Sequence, residues 1–152
     1  MSSGDALRFD HIGVVVADIE KGREFLSQAF QIESWTEIVT DTGIGVCVQF
    51  GIGESGPCYE LIAPLTESSP VWGALKSVKN ILSHVAYLVA DMEKASNKLR
   101  AQGSVPTADP QPAIAYGGRK VQFFITPLRF MVELIEAPNH RHDYRLQTPR
   151  KT

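Results

Sequence analysis

Two histidines and two glutamates are spaced in a way that could build a metal site. His11 and Glu60 are 49 residues apart, and so are His84 and Glu133. Each of these residues interrupts an apolar run, where burial of a carboxylate is costly unless it is paired or bound to a metal. Two imidazoles and two carboxylates suit one borderline divalent ion, and the carboxylates neutralise its charge.

The equal spacing belongs to an internal repeat with an offset of 73 residues. Residues 10–30 and residues 83–103 share seven of 21 positions without a gap, where average composition gives about one or two matches. The triplets VQF, at residues 48–50, and ELI, at residues 60–62, recur at the same offset. Three blocks in one register indicate two copies of one module.

Each module has the predicted order β-α-β-β-β. In the first module, an apolar strand over residues 9–17 precedes Asp18, a helix N-cap, and a helix from Ile19 to Phe30. In the second module, Asp91 caps the matching helix and Gly103 ends it. Further strands are predicted at or near residues 35–39, 46–50, 59–63, 105, 120–126 and 130–136. The predicted fold is α+β, with tandem βαβββ modules over residues 8–64 and 81–137.

The remaining segments are predicted to be irregular. Residues 65–80 link the modules, and residues 1–7 form an N-terminal tail. Residues 104–118 are rich in proline and glycine, which indicates a long loop that closes over a bound substrate. Residues 138–152 are polar and basic, so we expect a frayed tail in which His140 and His142 are exposed to solvent and bind no metal. The four proposed metal ligands, in contrast, all lie within the two modules.

Alternation along the strands predicts which side chains meet. His11 and His84 point away from the helices, and so do the glutamates, so that a pseudo-twofold axis brings the four side chains to one centre. Gln49 and Gln122 are expected to face the same cavity and bind substrate or ligands, with a symmetric structural role as the alternative. Lys120 could meet an anionic substrate group, with an ordinary solvated lysine as the alternative.

Composition excludes several classes of function. The chain has 152 residues, 43% of them apolar, and a formal charge of −2. The sequence pI of about 6.1 does not suit the basic surface that nucleic acid requires. No apolar run approaches the roughly 20 residues of a membrane span, and the N-terminus lacks the apolar core of a signal peptide. We therefore expect a cytoplasmic protein with no membrane partner.

The two cysteines are expected to be free thiols. Cys47 and Cys58 are 11 residues apart, which does not match the close spacing of a zinc-binding pair. In a cytoplasmic chain such thiols are more often free than bridged. Cys47 shares a strand face with Gln49, so it lies either near the metal or in the core as an inert thiol.

The segments DHIGVVVADIEKGREFL and SHVAYLVADMEKASNKL, with the two ELI strands, resemble the vicinal oxygen chelate superfamily over about residues 8–137. This superfamily includes glyoxalase I, methylmalonyl-CoA epimerase, extradiol dioxygenases and antibiotic-resistance proteins. The resemblance implies paired βαβββ modules whose curved sheet encloses a metal. It places the family's four ligand positions on His11, Glu60, His84 and Glu133.

Within the superfamily, ELIAPLTESSPVWGALK and YGGRKVQFFITP resemble the methylmalonyl-CoA epimerase branch. Two departures stand out. Glu60 replaces the glutamine usual in that branch and resembles bacterial glyoxalase I, and the strand after Gly45 lacks the branch's catalytic glutamate. The resemblance implies proton abstraction next to a carbonyl, with Glu133 as the base and Glu60 as its partner.

Several functions stay open at this point. The first is epimerisation of an acyl thioester, and the alternative is a glyoxalase I-like lactoylglutathione lyase acting on a thiol adduct. A non-catalytic small-molecule binding protein is a further alternative, although such relatives usually lose the metal ligands. A dioxygenase is less favoured, because a fourth protein ligand closes a position that dioxygen needs. The ion could be Co, Ni, Zn, Mn or Fe, and the family resemblance implies a homodimer.

Overall fold

The structure is a computed structural model that describes residues 6–77 and 82–146. The helices are α1 (Ile19–Phe30), α2 (Trp72–Ser77) and α3 (Met92–Ala101). The strands are β1 (Arg8–Val15), β2 (Ile32–Trp35), β3 (Val39–Asp41), β4 (Val46–Gly53), β5 (Tyr59–Pro64), β6 (Leu82–Leu88), β7 (Val105–Pro106), β8 (Gln111–Ala113), β9 (Arg119–Ile125), β10 (Met131–Ile135) and β11 (Arg145–Leu146). A 3-10 helix spans Ile114–Tyr116.

The strands of the described residues form one mixed sheet. Its order is β11-β2-β4-β5-β1-β6-β10-β9-β7, while β3 pairs with β4 and β8 pairs with β9. At the centre, β1 and β6 run antiparallel to each other, and each pairs in parallel with the last strand of its own module, β5 or β10. The two modules therefore meet along β1 and β6, and the sheet order on one side of this seam mirrors the order on the other.

This arrangement confirms the predicted α+β fold of two βαβββ-like modules. Both predicted helix N-caps are also confirmed, because Asp18 accepts the Lys21 N–H and Asp91 accepts the Lys94 N–H. Helix α1 spans the residues predicted from its apolar stripe. Gly103 has a φ of +98°, which suits glycine just after a helix C-terminus. None of the helices that the structure describes is long and apolar enough to cross a membrane.

Both long helices cover the same face of the sheet. Leu26 of α1 packs with Trp35 and Leu61, while Met92 of α3 packs with Phe124 and Leu134. A third cluster of buried residues lies on the opposite face and includes Val46, Val48, Phe50, Ile62, Ala86, Leu88, Val121 and Ile135. Apolar burial on both faces therefore holds the strands in register, and the face opposite α1 and α3 shapes the site.

The structure differs from the sequence prediction in four segments. The strand predicted near residues 35–39 is split, because Thr36 Oγ1 accepts the Phe50 N–H at the break between β2 and β3. The predicted linker contains helix α2 at Trp72–Ser77. The predicted loop of residues 104–118 contains the short strands β7 and β8, which both pair with β9, and the 3-10 helix, so part of it is joined to the sheet. Its closure over a bound substrate stays a prediction. The expected fraying of the tail is wrong for residues 138–146, which include β11 and fold back onto β2.

Candidate metal centre

The four central strands each contribute one of the predicted ligands. His11 lies on β1, His84 on β6, Glu60 on β5 and Glu133 on β10. The registers are equivalent in the two modules, since Glu60 pairs with Gly13 and Glu133 pairs with Ala86. Each glutamate thus lies beside a small residue, Gly13 or Ala86. That residue follows the histidine of the same module by two positions. The repeat in the sequence becomes a repeat of backbone register, which brings the four side chains together.

The four side chains converge on a single point in the interior. The Nε2 atoms of His11 and His84 are 3.0 Å apart. Glu60 Oε1 lies 3.3 Å from His11 Nε2 and 3.5 Å from His84 Nε2, and Glu133 Oε1 lies 3.3 Å and 3.2 Å from the same atoms. All four ligand atoms fall within 4.8 Å of one another, and all four residues are buried. The arrangement could hold one metal ion.

The spacing of these atoms fits a divalent ion. Bonds from Zn²⁺ to nitrogen or oxygen are about 2.0–2.2 Å, which places neighbouring ligand atoms about 2.8–3.6 Å apart around a six- or four-coordinate ion. Moreover, Glu133 Oε1 is buried and has no hydrogen-bond partner among the described residues. A buried carboxylate oxygen left without a partner is costly, and a cation held by these four residues would satisfy it.

The VQF repeat has a symmetric structural role around the histidines. Phe50 meets the ring of His11 edge-on at 5.3 Å, and Phe123 meets the ring of His84 in the same way at 5.1 Å. These rings limit how each imidazole can turn, so the phenylalanines of the repeat help to fix the ligand geometry.

Two β-bulges set the direction of the histidine side chains. Asp10 is skipped in the pairing between β1 and β6, and Ser83 is skipped at the equivalent place on β6. A bulge places two successive side chains toward the same side of a strand, where regular alternation would separate them. Accordingly, Asp10 Oδ2 lies 2.7 Å from His11 Nδ1, and Ser83 Oγ lies 3.1 Å from His84 Nδ1. The two imidazoles are therefore held from behind by different groups, a carboxylate and a hydroxyl.

Asp10 is the centre of a hydrogen-bond network that the sequence analysis missed. Tyr116 donates its hydroxyl to Asp10 Oδ2 at 2.7 Å, and His142 Nε2 lies 2.9 Å from the same oxygen. The exposure expected for the histidines of the tail is wrong, since His142 has a side chain only 8% exposed and His140 is partly buried. The available signal was the Asp-His dipeptide at residues 10 and 11, but a regular strand would turn these side chains apart.

Electrostatics among the protein groups stabilise charged side chains at this centre. Burial alone would lower the pKa of His11, but the attraction of Glu60 and the nearby carboxylates of Asp10 and Glu133 raise it well above its usual value. The pKa of His84 is raised against burial by the nearby carboxylates of Glu133 and Glu60. Burial would raise the pKa of Glu60, but the two imidazoles lower it to about 2. The cluster is therefore a strong site for positive charge.

A cavity of about 760 Å³ opens onto the centre. Glu60, His84 and Glu133 lie in its wall, whereas His11 is fully buried behind them. Much of the remaining wall is apolar and includes Ile44, Val46, Val48, Ile62, Val121, Phe123 and Phe130. A cavity of this size, with a few convergent polar groups at its base, suits a small-molecule ligand.

The structure places the secondary candidates differently from the prediction. The cavity-facing orientation expected for Gln49 is wrong, because its amide is held on the helix face by Arg23 of α1 and the Thr36 carbonyl. Cys47 shares that face and packs with the α1 cluster, away from the metal ligands. Gln122 lies in the cavity wall, but its amide nitrogen donates to the Ala108 carbonyl. Lys120 is exposed and outside the cavity wall.

The fold is shared with solved structures of methylmalonyl-CoA epimerases. The epimerase of Mycobacterium tuberculosis superposes with a TM-score of 0.70 at 21% identity, covering 89% of this chain and 91% of that chain. A variant of the Streptomyces coelicolor epimerase in complex with 2-nitronate-propionyl-CoA gives a TM-score of 0.67 at 25% identity, covering 86% and 97%. A hypothetical protein of Bacillus halodurans gives 0.74 at 24% identity, covering 91% and 99%.

Sequence comparison places the chain at the level of a superfamily. No curated protein matches its sequence significantly. The sequence profile of the glyoxalase/bleomycin resistance protein/dioxygenase superfamily matches residues 10–123, a span that contains His11, Glu60 and His84. With the paired modules and the convergent His and Glu residues already described, this match shows that the chain belongs to that superfamily.

Proposed function

We propose that this protein is a divalent-metal-dependent enzyme that removes a proton from a carbon next to a carbonyl group. The proposed reaction is epimerisation or isomerisation of an acyl thioester. His11, Glu60, His84 and Glu133 are the proposed metal ligands, with Co, Ni, Zn, Mn or Fe as the candidate ions. The structural likeness to methylmalonyl-CoA epimerases supports this choice, since one of them is solved with methylmalonyl-CoA.

The observation that carries the proposal is the burial and position of the Glu133 carboxylate. Its Oε1 atom is buried, lacks a hydrogen-bond partner among the described residues and lies between the two imidazoles, while the residue lines the cavity. A carboxylate so placed can serve both as a ligand and as a general base toward a molecule in the cavity.

The chain's own residues account for the remaining needs of the reaction. A bound divalent ion would act as a Lewis acid and stabilise the enolate oxygen. The apolar walls exclude water and strengthen the electrostatic interactions within the cavity. Glu133 takes the proton from the α-carbon. Asp10 and Ser83 hold the imidazole rings of His11 and His84 in place. Return of the proton to the opposite face of that carbon gives the epimer.

A second acid or base is needed on that opposite face, and Glu60 is the proposed group. It enters from the strand on the other side of the central pair and also lines the cavity. The epimerase branch has its second base on the strand near Gly45. In this chain, Asp41 is the carboxylate closest in sequence to that position. Both Asp41 oxygens are occupied, however, because they accept the backbone N–H groups of Ile44 and Ile114.

A glyoxalase I-like reaction is the second candidate, and Glu60 is the residue that favours it. This side chain faces the centre as a carboxylate in place of the glutamine typical of the epimerase branch. In that reaction the abstracted proton returns to the carbon adjacent to the one that lost it, and the substrate is a thiol adduct. Both candidates share the metal centre and the first proton transfer, so they differ only in substrate and in the site of reprotonation.

Deuterium exchange at the α-carbon is the experiment that tests this function. The purified protein is loaded with each candidate ion and incubated in D₂O with a panel of acyl thioesters and hemithioacetals. We expect exchange into one substrate class and its loss in Glu133→Gln. Exchange into hemithioacetals alone would favour the glyoxalase reaction, whereas metal binding without exchange into any substrate would favour a non-catalytic binding protein. The proposed homodimer and cytoplasmic location are tested separately, by sedimentation and by fractionation.

A further inference from the structure

The C-terminal segment of residues 139–145 folds across the face of the sheet opposite α1 and α3. Arg145 pairs with Trp35 at the sheet edge, and Tyr144 donates its hydroxyl to Cys58 Sγ at 2.8 Å. His142 lies between these two attachments and the metal ligands, with its ring stacked on Phe50 at 4.0 Å. The segment therefore crosses the sheet directly behind the ring that packs against His11.

His142 holds the carboxylate of Asp10 from this segment. Its Nε2 atom lies 2.9 Å from Asp10 Oδ2 and 3.1 Å from Oδ1. Both oxygens of Asp10 lie within hydrogen-bond distance of this nitrogen, and a carboxylate can only accept, so His142 donates to it. The other ring nitrogen of His142 faces His140 Nε2 at 3.4 Å. Asp10 is thus held by its neighbour His11 and by His142, which lies 132 positions further along the chain.

We propose that His142 is a positioning residue of the metal centre and acts on His11 through Asp10. A fixed Asp10 holds the N–H of His11 at Nδ1, which leaves the Nε2 lone pair directed at Glu60, His84 and Glu133. Such outer carboxylates set the tautomer and orientation of ligand histidines and increase their basicity. This inference rests on the proposed metal centre. It assigns a role in that centre to a segment outside the span matched by the superfamily profile.

The second module shows why this support is specific to one half. At the equivalent position behind His84, the hydroxyl of Ser83 takes the place of the Asp10 carboxylate. A buried carboxylate needs more donors than a hydroxyl does, and Tyr116 and His142 provide them. The C-terminal segment therefore supports only the carboxylate-backed histidine.

Two substitutions of His142 separate hydrogen bonding from packing. His142→Phe keeps a ring against Phe50 and removes the donor, whereas His142→Gln keeps an amide nitrogen near the place of Nε2 and removes the ring. Each variant is titrated with Co²⁺ against a competing chelator, and the d–d absorption of the bound ion and the thermal melt of the metal-free protein are recorded. His142→Asn, too short to reach Asp10, serves if His142→Phe does not fold.

The expected pattern follows the hydrogen bond. Asp10→Asn weakens Co²⁺ binding by about 10- to 100-fold, and His142→Phe weakens it at the lower end of that range. His142→Gln binds nearly as tightly as the wild type and keeps its absorption spectrum. The double variant Asp10→Asn/His142→Phe binds no more weakly than Asp10→Asn alone, because both changes break one chain of contacts. Arg145→Ala, which removes exposed ion pairs with Glu37 and Asp143 but keeps the backbone pairing with Trp35, leaves Co²⁺ affinity unchanged.

Three results would overturn the inference. These are wild-type affinity in His142→Phe, a loss in His142→Gln equal to that in His142→Phe, or additive losses in the double variant. Wild-type protein that binds no Co²⁺ would overturn the proposed metal centre as well. A wild type that binds Co²⁺ with variants that bind equally would overturn only the positioning role.

Discussion

The imidazole of His84 occupies the space where a side chain at Gly13 would begin. Gly13 is the antiparallel partner of His84, and a Cβ added there would lie 2.6 Å from His84 Nε2. On the other strand, His11 pairs with Ala86, which is fully buried. Each ligand histidine therefore lies over a small residue of the opposite module, and His84 requires glycine.

Gly13→Ala is expected to displace His84 and weaken divalent-metal binding by on the order of 10- to 100-fold, the cost of losing ligand orientation. The measurement is the dissociation constant for Zn²⁺ by chelator competition. Gly73→Ala is the matched control, since a Cβ at Gly73 meets nothing within 4 Å. Equal affinities in the two variants would contradict the close contact.

Removal of either ligand histidine is expected to abolish stoichiometric metal binding. His11→Ala and His84→Ala should also lower the unfolding free energy of the metal-free protein by roughly 3–5 kcal/mol, because each leaves buried carboxylates without a partner. Metal analysis and denaturant unfolding measure the two effects. His140→Ala, a partly buried histidine outside the cluster, is the control and should retain the metal. Full metal content in His84→Ala would refute the proposed ligand set.

Glu60→Gln separates proton abstraction from inversion of configuration. The amide oxygen can still bind the ion, so metal content should be retained. Exchange of the α-proton should persist through Glu133, while epimerisation should fall by a factor on the order of 10²–10⁴, the usual value of a positioned acid or base. Chiral analysis of the product alongside deuterium incorporation measures both rates. Epimerisation at the wild-type rate would show that Glu60 is a ligand only and that the second base lies elsewhere.

Stability should depend on pH in opposite directions with and without metal. Because the folded-state pKa values of His11 and His84 are raised, their contribution is present below about pH 6.5 and is lost as pH rises through those values. The pKa of Glu60 is lowered to about 2, so its contribution is present above its ordinary value of 4.5 and is lost as pH falls toward 2. The metal-free protein should therefore lose stability above about pH 6.5.

Bound metal should reverse the trend at neutral pH. The ion binds neutral imidazoles, so its affinity and its stabilising effect increase as the histidines lose their protons. Thermal melts between pH 5.5 and 8.5, with and without Zn²⁺, should show a gap in melting temperature that widens with pH. A constant gap, or a metal-free melting temperature that rises over the same range, would be inconsistent with the raised histidine pKa values.

The sequence was sufficient to predict the parts of the site that depend on the repeat. One offset of 73 residues paired His11 with His84 and Glu60 with Glu133, and strand alternation placed them on the face away from the helices. The orientation of Gln49 was predicted wrongly because alternation shows which residues share a face, but not which face that is. The pairing of Phe50 with Glu60 decides it, since directly paired residues lie on the same side of a sheet.

Other parts of the site depend on contacts that no local pattern contains. The bulge at Asp10 breaks the alternation from which side-chain directions were predicted. His142 reaches Asp10 across 132 positions, from a polar segment whose composition is typical of a loose end. In both cases tertiary packing overrides the local signal, and Tyr116, in the segment predicted to be a lid, is a third example.

The unequal groups behind His11 and His84 give the site a defined orientation. A cavity with true twofold symmetry would accept a substrate in two superimposable poses, and a prochiral carbon would then present either face to either glutamate. A carboxylate behind one imidazole and a hydroxyl behind the other make the two poses inequivalent in energy. The proposed site would thereby acquire stereochemical direction from two side chains that are not themselves metal ligands.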